Sequence, residues 1–227
     1  MPKRISHSLL DPLLSRPLKA LYGRLHIPAW LPPEAIVGCG HVAAILGAIG
    51  FAFAARYWWG GLLAALGVAA NHTCDVLDGT HARATNQCRN GGELLDHFVD
   101  PLSFCYWVAG LAYAGQSPWL AALGVGIIYA TSVLTNIRAK MIGQFTLARF
   151  GPTEFKTLLV AFGLLLAVLV PTVWSDCGCA VASAKWFVIL MSAAGILQLV
   201  VSLVRAVREV NAVGTTPADT TEWEIGE

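Results

Sequence analysis

Charge is scarce in this sequence. Only 13% of its 227 residues are Asp, Glu, Lys or Arg, while 56% are hydrophobic and the mean hydropathy is +0.62. An ordinary soluble domain carries about 25% charged residues, so the deficit excludes that class and leaves multiple membrane spans as the natural reading. Basic residues are not pooled either. The net charge is +1 and the Lys and Arg are spread along the chain, so no patch suits a nucleic-acid partner. A cleavable leader pattern is missing, because Met1 to Lys19 is polar, basic and interrupted by Pro12 and Pro17. The six cysteines (39, 74, 88, 105, 177 and 179) lack metal-ligand spacing. Cys177 and Cys179 form the single close pair; a disulfide fits there, but plain surface residues are the preferred reading. There is no internal repeat and no linker to a second domain.

What the chain has in quantity is apolar runs. They lie at roughly 35–55, 58–74, 95–114, 118–137, 155–174 and 184–204, most of them near the ~20 residues that span hydrocarbon. Before them, Leu9, Leu10, Leu13, Leu14, Leu18, Leu21, Tyr22 and Leu25 recur at helical spacing, with Lys3, Arg4, Arg16, Lys19 and Arg24 interspersed. That pattern predicts an amphipathic helix over 5–27 lying in the membrane interface, ended by Pro32 and Pro33. The expected architecture is all-α and integral to the membrane: a cytoplasmic segment 1–33 with the interfacial helix, a six-helix transmembrane bundle over 34–208, and a disordered polar tail over 209–227. Thirteen Lys and Arg fall in the N-terminal segment, the 75–94 and 138–156 connections and the tail, against two (Arg56 and Lys185) in the other connections. The positive-inside rule therefore predicts cytoplasmic termini, and Trp58 and Trp59 fit an aromatic belt on the opposite side.

The carboxylates are concentrated where the spans meet. Asp75 and Asp78 are spaced i, i+3 and Asp96 and Asp100 i, i+4, so on a helix each pair shares a face one turn apart. Four such charges brought together repel unless divalent cations bind them or some take protons. An all-oxygen set suits Mg²⁺ or Mn²⁺ rather than zinc. Helix caps or a solvated loop would explain one pair, but not the whole arrangement inside a polytopic chain.

The eight residues Asp75, Asp78, Gly79, Ala82, Arg83, Gly92, Asp96 and Asp100 stand in the spacing D-x2-D-G-x2-A-R-x8-G-x3-D-x3-D. This matches the signature of the CDP-alcohol phosphotransferase family, and the chain is identified as resembling that family. The resemblance implies a membrane transferase of phospholipid synthesis. Asp75, Asp78, Asp96 and Asp100 would lie at one or two Mg²⁺ or Mn²⁺ ions, with Asp100 also the general base for the acceptor hydroxyl. An aspartate beside metal ions stays ionised, so the base role requires that it not be wholly committed to coordination. Arg83 would hold the donor pyrophosphate. Gly79 and Gly92 would allow close approach of the nucleotide and Ala82 would keep space clear beside Arg83. A homodimer is also implied, with the site between the second and third spans at the cytoplasmic side, open to lipid.

Two donor polarities fit. CDP-diacylglycerol can give a phosphatidyl group to a small polar alcohol, releasing CMP, which the compact length favours. Alternatively, CDP-choline or CDP-ethanolamine can give its head group to diacylglycerol, which the run Glu93-Leu-Leu-Asp96-His97 favours by its similarity to the choline/ethanolamine branch. His97, Arg138 and Glu154 are candidate acceptor or supporting residues, set against packing for His97, snorkelling for Arg138 and helix N-capping by Thr153 with Glu154 in the first turn. His81 reads as a variable motif position. One departure stands out: the family's Pro-Asn-x-x-Thr entry to the first span is Pro33-Glu34-Ala35-Ile36-Val37 here, so a charge and an apolar group replace two polar nucleotide contacts. Two readings of another class are a divalent-cation transporter or channel, for which the other spans offer almost no carboxylates, and an inactive scaffold, against which the intact aspartates argue.

Overall fold

The computed structural model of the chain describes residues 3–6, 8–147, 150–175 and 177–213. Arg149 and the tail from 214 onward lie outside the described residues. Among those described, seven helices run in order: α1 (Asp11–Leu25), α2 (Pro33–Phe53), α3 (Trp58–Ala84), α4 (Asn90–Ala114), α5 (Pro118–Ile142), α6 (Pro152–Thr172) and α7 (Cys179–Val213). Proline stands in the first turn of α1, α2, α5 and α6, where its fixed φ suits the helix and its missing N–H costs nothing. Gly143 closes α5 with φ 74°, a left-handed cap that a side chain would strain.

Three features bear on these expectations. Helix α1 starts at Asp11, because Lys3–Ser6 forms a short strand, β1, paired in parallel with β2 (Gln144–Leu147) after α5. The fold is therefore helical with one small strand pair, whose partners lie too far apart in sequence for a periodicity argument to join them. Four helices (α2, α5, α6 and α7) are long and apolar enough to cross a membrane. Helices α3 and α4 are as long, 27 and 25 residues, but carry the acidic and other polar residues. Finally, Cys177 and Cys179 form a disulfide, their Cα atoms 5.2 Å apart, a separation well suited to that bond.

Helix α3 is the centre, packed against α2, α6 and α1. Small residues let the backbones meet: a Cβ on Gly67 would stand 2.5 Å from Cα of Gly47 in α2, and one on Gly61 2.5 Å from the carbonyl oxygen of Gly163 in α6. The buried core includes Phe51, Val68, Trp107, Leu111, Leu120 and Leu159. Trp107 Nε1 donates to the Ala44 carbonyl (2.9 Å), tying α4 to α2. The outer faces of α5 and α7 leave Val133, Ile137, Leu190 and Leu197 exposed. These contacts fix the C-terminal end of α3, the N-terminal half of α4 and the start of α6 at one end of the bundle.

Candidate active site

The helical spacing of the aspartates turns Asp75 and Asp78 from α3 toward Asp96 and Asp100 from α4, and all four line one narrow cleft. Carboxylate oxygens of Asp75, Asp96 and Asp100 come within 4.8 Å of one another. Asp78 is buried and accepts the N–H of Gly79, so it lines the cleft without joining that trio. Pro101 follows Asp100 inside α4 and cannot donate to the carbonyl four residues back, which loosens the helix ladder beside the site.

A cation that the sequence reading passed over lies in the middle of the cluster. Lys156, in the second turn of α6, is 1% exposed. Its Nζ donates to Asp75 Oδ2 (2.8 Å) and Asp100 Oδ1 (3.2 Å), and stands 5.6 Å from the centre of the Phe104 ring. Position in the sequence groups it with the cations of the 138–156 connection; the fold buries it inside the bundle. An ionisable residue in the early turns of an apolar helix is the signal that marks it.

Asn71 was also missed. It sits one turn before Asp75 on α3, is 4% exposed and lines the same cleft. Its Nδ2 donates to the Gly40 carbonyl (3.1 Å), which orients the amide, while its Oδ1 has no hydrogen-bond partner among the described residues. A buried, orphaned carbonyl oxygen beside three gathered carboxylates is the donor set that a hard divalent cation takes. The residues therefore fit the metal that their chemistry implies. His72 Nδ1 is 3.9 Å from Asp75 Oδ2, and Val37 and Gly40 close the cleft on the α2 side.

Around this centre the remaining expected residues divide. Arg83 is exposed at the end of α3, and a Cβ on Gly79 would come 3.3 Å from its guanidinium, so that glycine gives the arginine room. A Cβ on Gly92 would meet Glu34 Oε1 at 3.6 Å, an ordinary contact; protein packing alone does not demand glycine there. Ala82 lies next to Arg83, half-buried. The charge of Glu34 is balanced by Arg89, whose Nη2 donates to its Oε2 at 2.9 Å.

His97, Arg138 and Glu154 do not join the aspartates. His97 turns into a neighbouring cavity with Glu93, Asn136, Lys140 and Phe145, its Nε2 3.7 Å from Glu93 Oε1 and its ring 4.9 Å from that of Phe145. On α4 it follows Asp96 by one residue, and that step rotates it off the aspartate face. Arg138 is held by Glu209 of α7 through contacts of 2.7–3.0 Å. Glu154 accepts from Ser8 Oγ (2.6 Å), Leu9 N (2.8 Å) and Leu10 N (3.2 Å) through Oε1, and from Gly151 N (2.9 Å) through Oε2. Thus Glu154, not Thr153, caps α6, and it clasps the approach to α1; Thr153 donates to Asp11 Oδ1. His81 is fully buried. Its Nε2 lies 2.9 Å from the Leu31 carbonyl and its Nδ1 2.9 Å from Tyr22 Oη. A carbonyl only accepts, so Nε2 carries the proton and Nδ1 accepts from the tyrosine. The supposed variable position therefore pins α1 and the α1–α2 turn over the end of α3.

Membrane-length helices around a carboxylate cleft with a CDP-alcohol signature define a class that comparison now establishes. The CDP-alcohol phosphatidyltransferase family model matches residues 39–204, and the chain belongs to this family of membrane transferases. Its members use CDP-linked donors with alcohol or diacylglycerol acceptors and generally use divalent metals. Among curated relatives, the chain is 31% identical to human (Homo sapiens) cholinephosphotransferase 1 over 182 residues, 74% of this chain and 43% of that protein. It is 30% identical to the Gallus gallus cholinephosphotransferase 1 over 174 residues, 71% of this chain and 49% of that protein. It is 26% identical to phosphatidylinositol phosphate synthase of Mycolicibacterium smegmatis over 212 residues, 90% of this chain and 85% of that enzyme. The chain thus spans less than half the length of the cholinephosphotransferases it matches.

Proposed function

We propose that the protein transfers a phosphatidyl group from CDP-diacylglycerol to a small polar alcohol, with release of CMP. The observation that carries this reading is the near end-to-end correspondence with a compact phosphatidylinositol phosphate synthase, taken with the gathered carboxylates of Asp75, Asp96 and Asp100. In this reading Asp75, Asp78 and Asp96, with the Asn71 carbonyl beside them, hold one or two Mg²⁺ or Mn²⁺ ions. When bound, the metal offsets the negative charge that develops on the departing phosphate. Arg83 holds the donor pyrophosphate from the exposed end of α3. Asp100 accepts the proton of the acceptor hydroxyl as its oxygen bonds to the diacylglycerol-linked phosphorus. The pyrophosphate P–O bond breaks, and its electron pair leaves with CMP. The chain crosses the membrane six times with α1 in the interface, the termini and site face the cytoplasm, and the enzyme is a homodimer. Positive-inside counting supports the orientation, and α3 and α4, though more polar, have spanning length.

Transfer of a choline- or ethanolamine-type head group to diacylglycerol is the second reading. It is favoured by the higher identity to cholinephosphotransferases and by the Glu93–His97 run. Purified protein is assayed for Mg²⁺-dependent CMP release from CDP-diacylglycerol with mixed polar alcohols, and separately from CDP-choline with diacylglycerol. The proposal expects release in the first assay and its loss in Asp100→Asn. Release confined to the second assay replaces it with the head-group reading.

A further inference from the structure

We propose that Lys156 is a built-in cation of the metal site. It keeps Asp75 and Asp100 gathered before any divalent ion arrives, and it weakens and shapes the binding of that ion. The inference rests on the metal-site reading above and adds a residue to it.

Three half-buried acidic side chains with oxygens within 4.8 Å of one another repel strongly when all are charged, unless a counter-charge stands beside them. Among the described residues, Lys156 is the one cation with its nitrogen inside hydrogen-bond range of them. Its position is not left to a flexible stem. The start of α6 is clasped by Glu154 and Thr153 to residues 8–11, and the ammonium lies beside Phe104. While its bonds stand, Asp75 Oδ2 and Asp100 Oδ1 each give an acceptor site to the ammonium. The other oxygen of each is then the freer one, for a metal at Asp75 and for the acceptor hydroxyl at Asp100. Asp96 and Asp78 are not held by Lys156. The ammonium, itself buried, also repels an incoming divalent ion at short range. Lys156 is therefore a positioning residue: it acts through Asp75 and Asp100.

The test is Mn²⁺ titration of detergent-purified full-length protein without nucleotide, read from the electron paramagnetic resonance signal of free Mn²⁺. Lys156→Gln removes the charge, Lys156→Met removes it while keeping the stem beside Phe104, and Lys156→Arg keeps it. The proposal expects Gln and Met to bind Mn²⁺ more tightly than wild type by about ten-fold or more, and Arg to stay near wild type. Affinity unchanged or lowered in whichever neutral variant remains monodisperse overturns it, as does equal tightening in Arg. Absence of Mn²⁺ binding in wild type and variants alike overturns the metal reading beneath it. Binding by wild type that the neutral variants do not strengthen sinks the role of Lys156 alone.

Discussion

Carboxylates at the same end of the bundle are satisfied in opposite ways. Glu154 receives four donors, three of them backbone N–H groups, and both of its oxygens are occupied. Asp75, Asp96 and Asp100 crowd together with Lys156 as the cation between them. A saturated carboxylate is architecture, since nothing more can be gained by offering it a ligand. An under-supplied cluster attracts one. The difference separates residues that sequence patterns treat alike, because Glu154 and Asp100 both read as candidate site residues.

Substitutions can break or sharpen that contrast. The largest effect belongs to Asp100→Asn, which lowers CMP release by about 100- to 10,000-fold while size-exclusion behaviour and helical circular dichroism stay as in wild type; near-normal turnover would remove Asp100 from the base role. Arg83→Ala comes next, raising KM for the nucleotide donor about ten-fold, as loss of a charged hydrogen bond does. Unchanged donor KM would count against the pyrophosphate contact. Glu154→Gln works on the other side of the comparison. It leaves part-buried N–H groups facing an uncharged amide and costs about 1 kcal/mol of stability, read as a lower thermal midpoint with KM for the acceptor unaltered. A selective rise in acceptor KM without loss of stability would return Glu154 to the site. The smallest effect is that of Arg138→Ala, which removes a partly exposed pair with Glu209 and costs about 1 kcal/mol or less. A large drop in acceptor affinity there would show that the arginine leaves Glu209 to meet substrate.

Much of the fold was legible because bilayer length and helical periodicity are local properties. The runs at 118–137 and 184–204 fall within α5 and α7, although α7 extends to Val213 because Arg205, Arg208 and Glu209 still follow a helical pattern. Helix α1 starts later than its leucine pattern predicts, since β1 takes residues 3–6 through a partner near residue 145. His81 looked variable because its value lies in Tyr22 and Leu31, neither of which its own segment reveals. Glu34 reads as an added charge near a polyphosphate, but Arg89, the last residue of the α3–α4 connection, balances it.

The sequence by itself determined the family, the membrane setting and the four aspartates, since these depend on composition and on spacing within 26 consecutive residues. Only the tertiary structure decided which polar groups are satisfied and which are left over. The bonds concerned join residues far apart: Lys156 to Asp75 across 81 positions, Glu154 to Ser8 across 146, and His81 to Tyr22 across 59. A helix periodicity says which way a side chain faces. What waits for it on the neighbouring helix is set by packing, and there the small residues of α2, α3 and α6 bring the backbones close enough to put Lys156 between the aspartates.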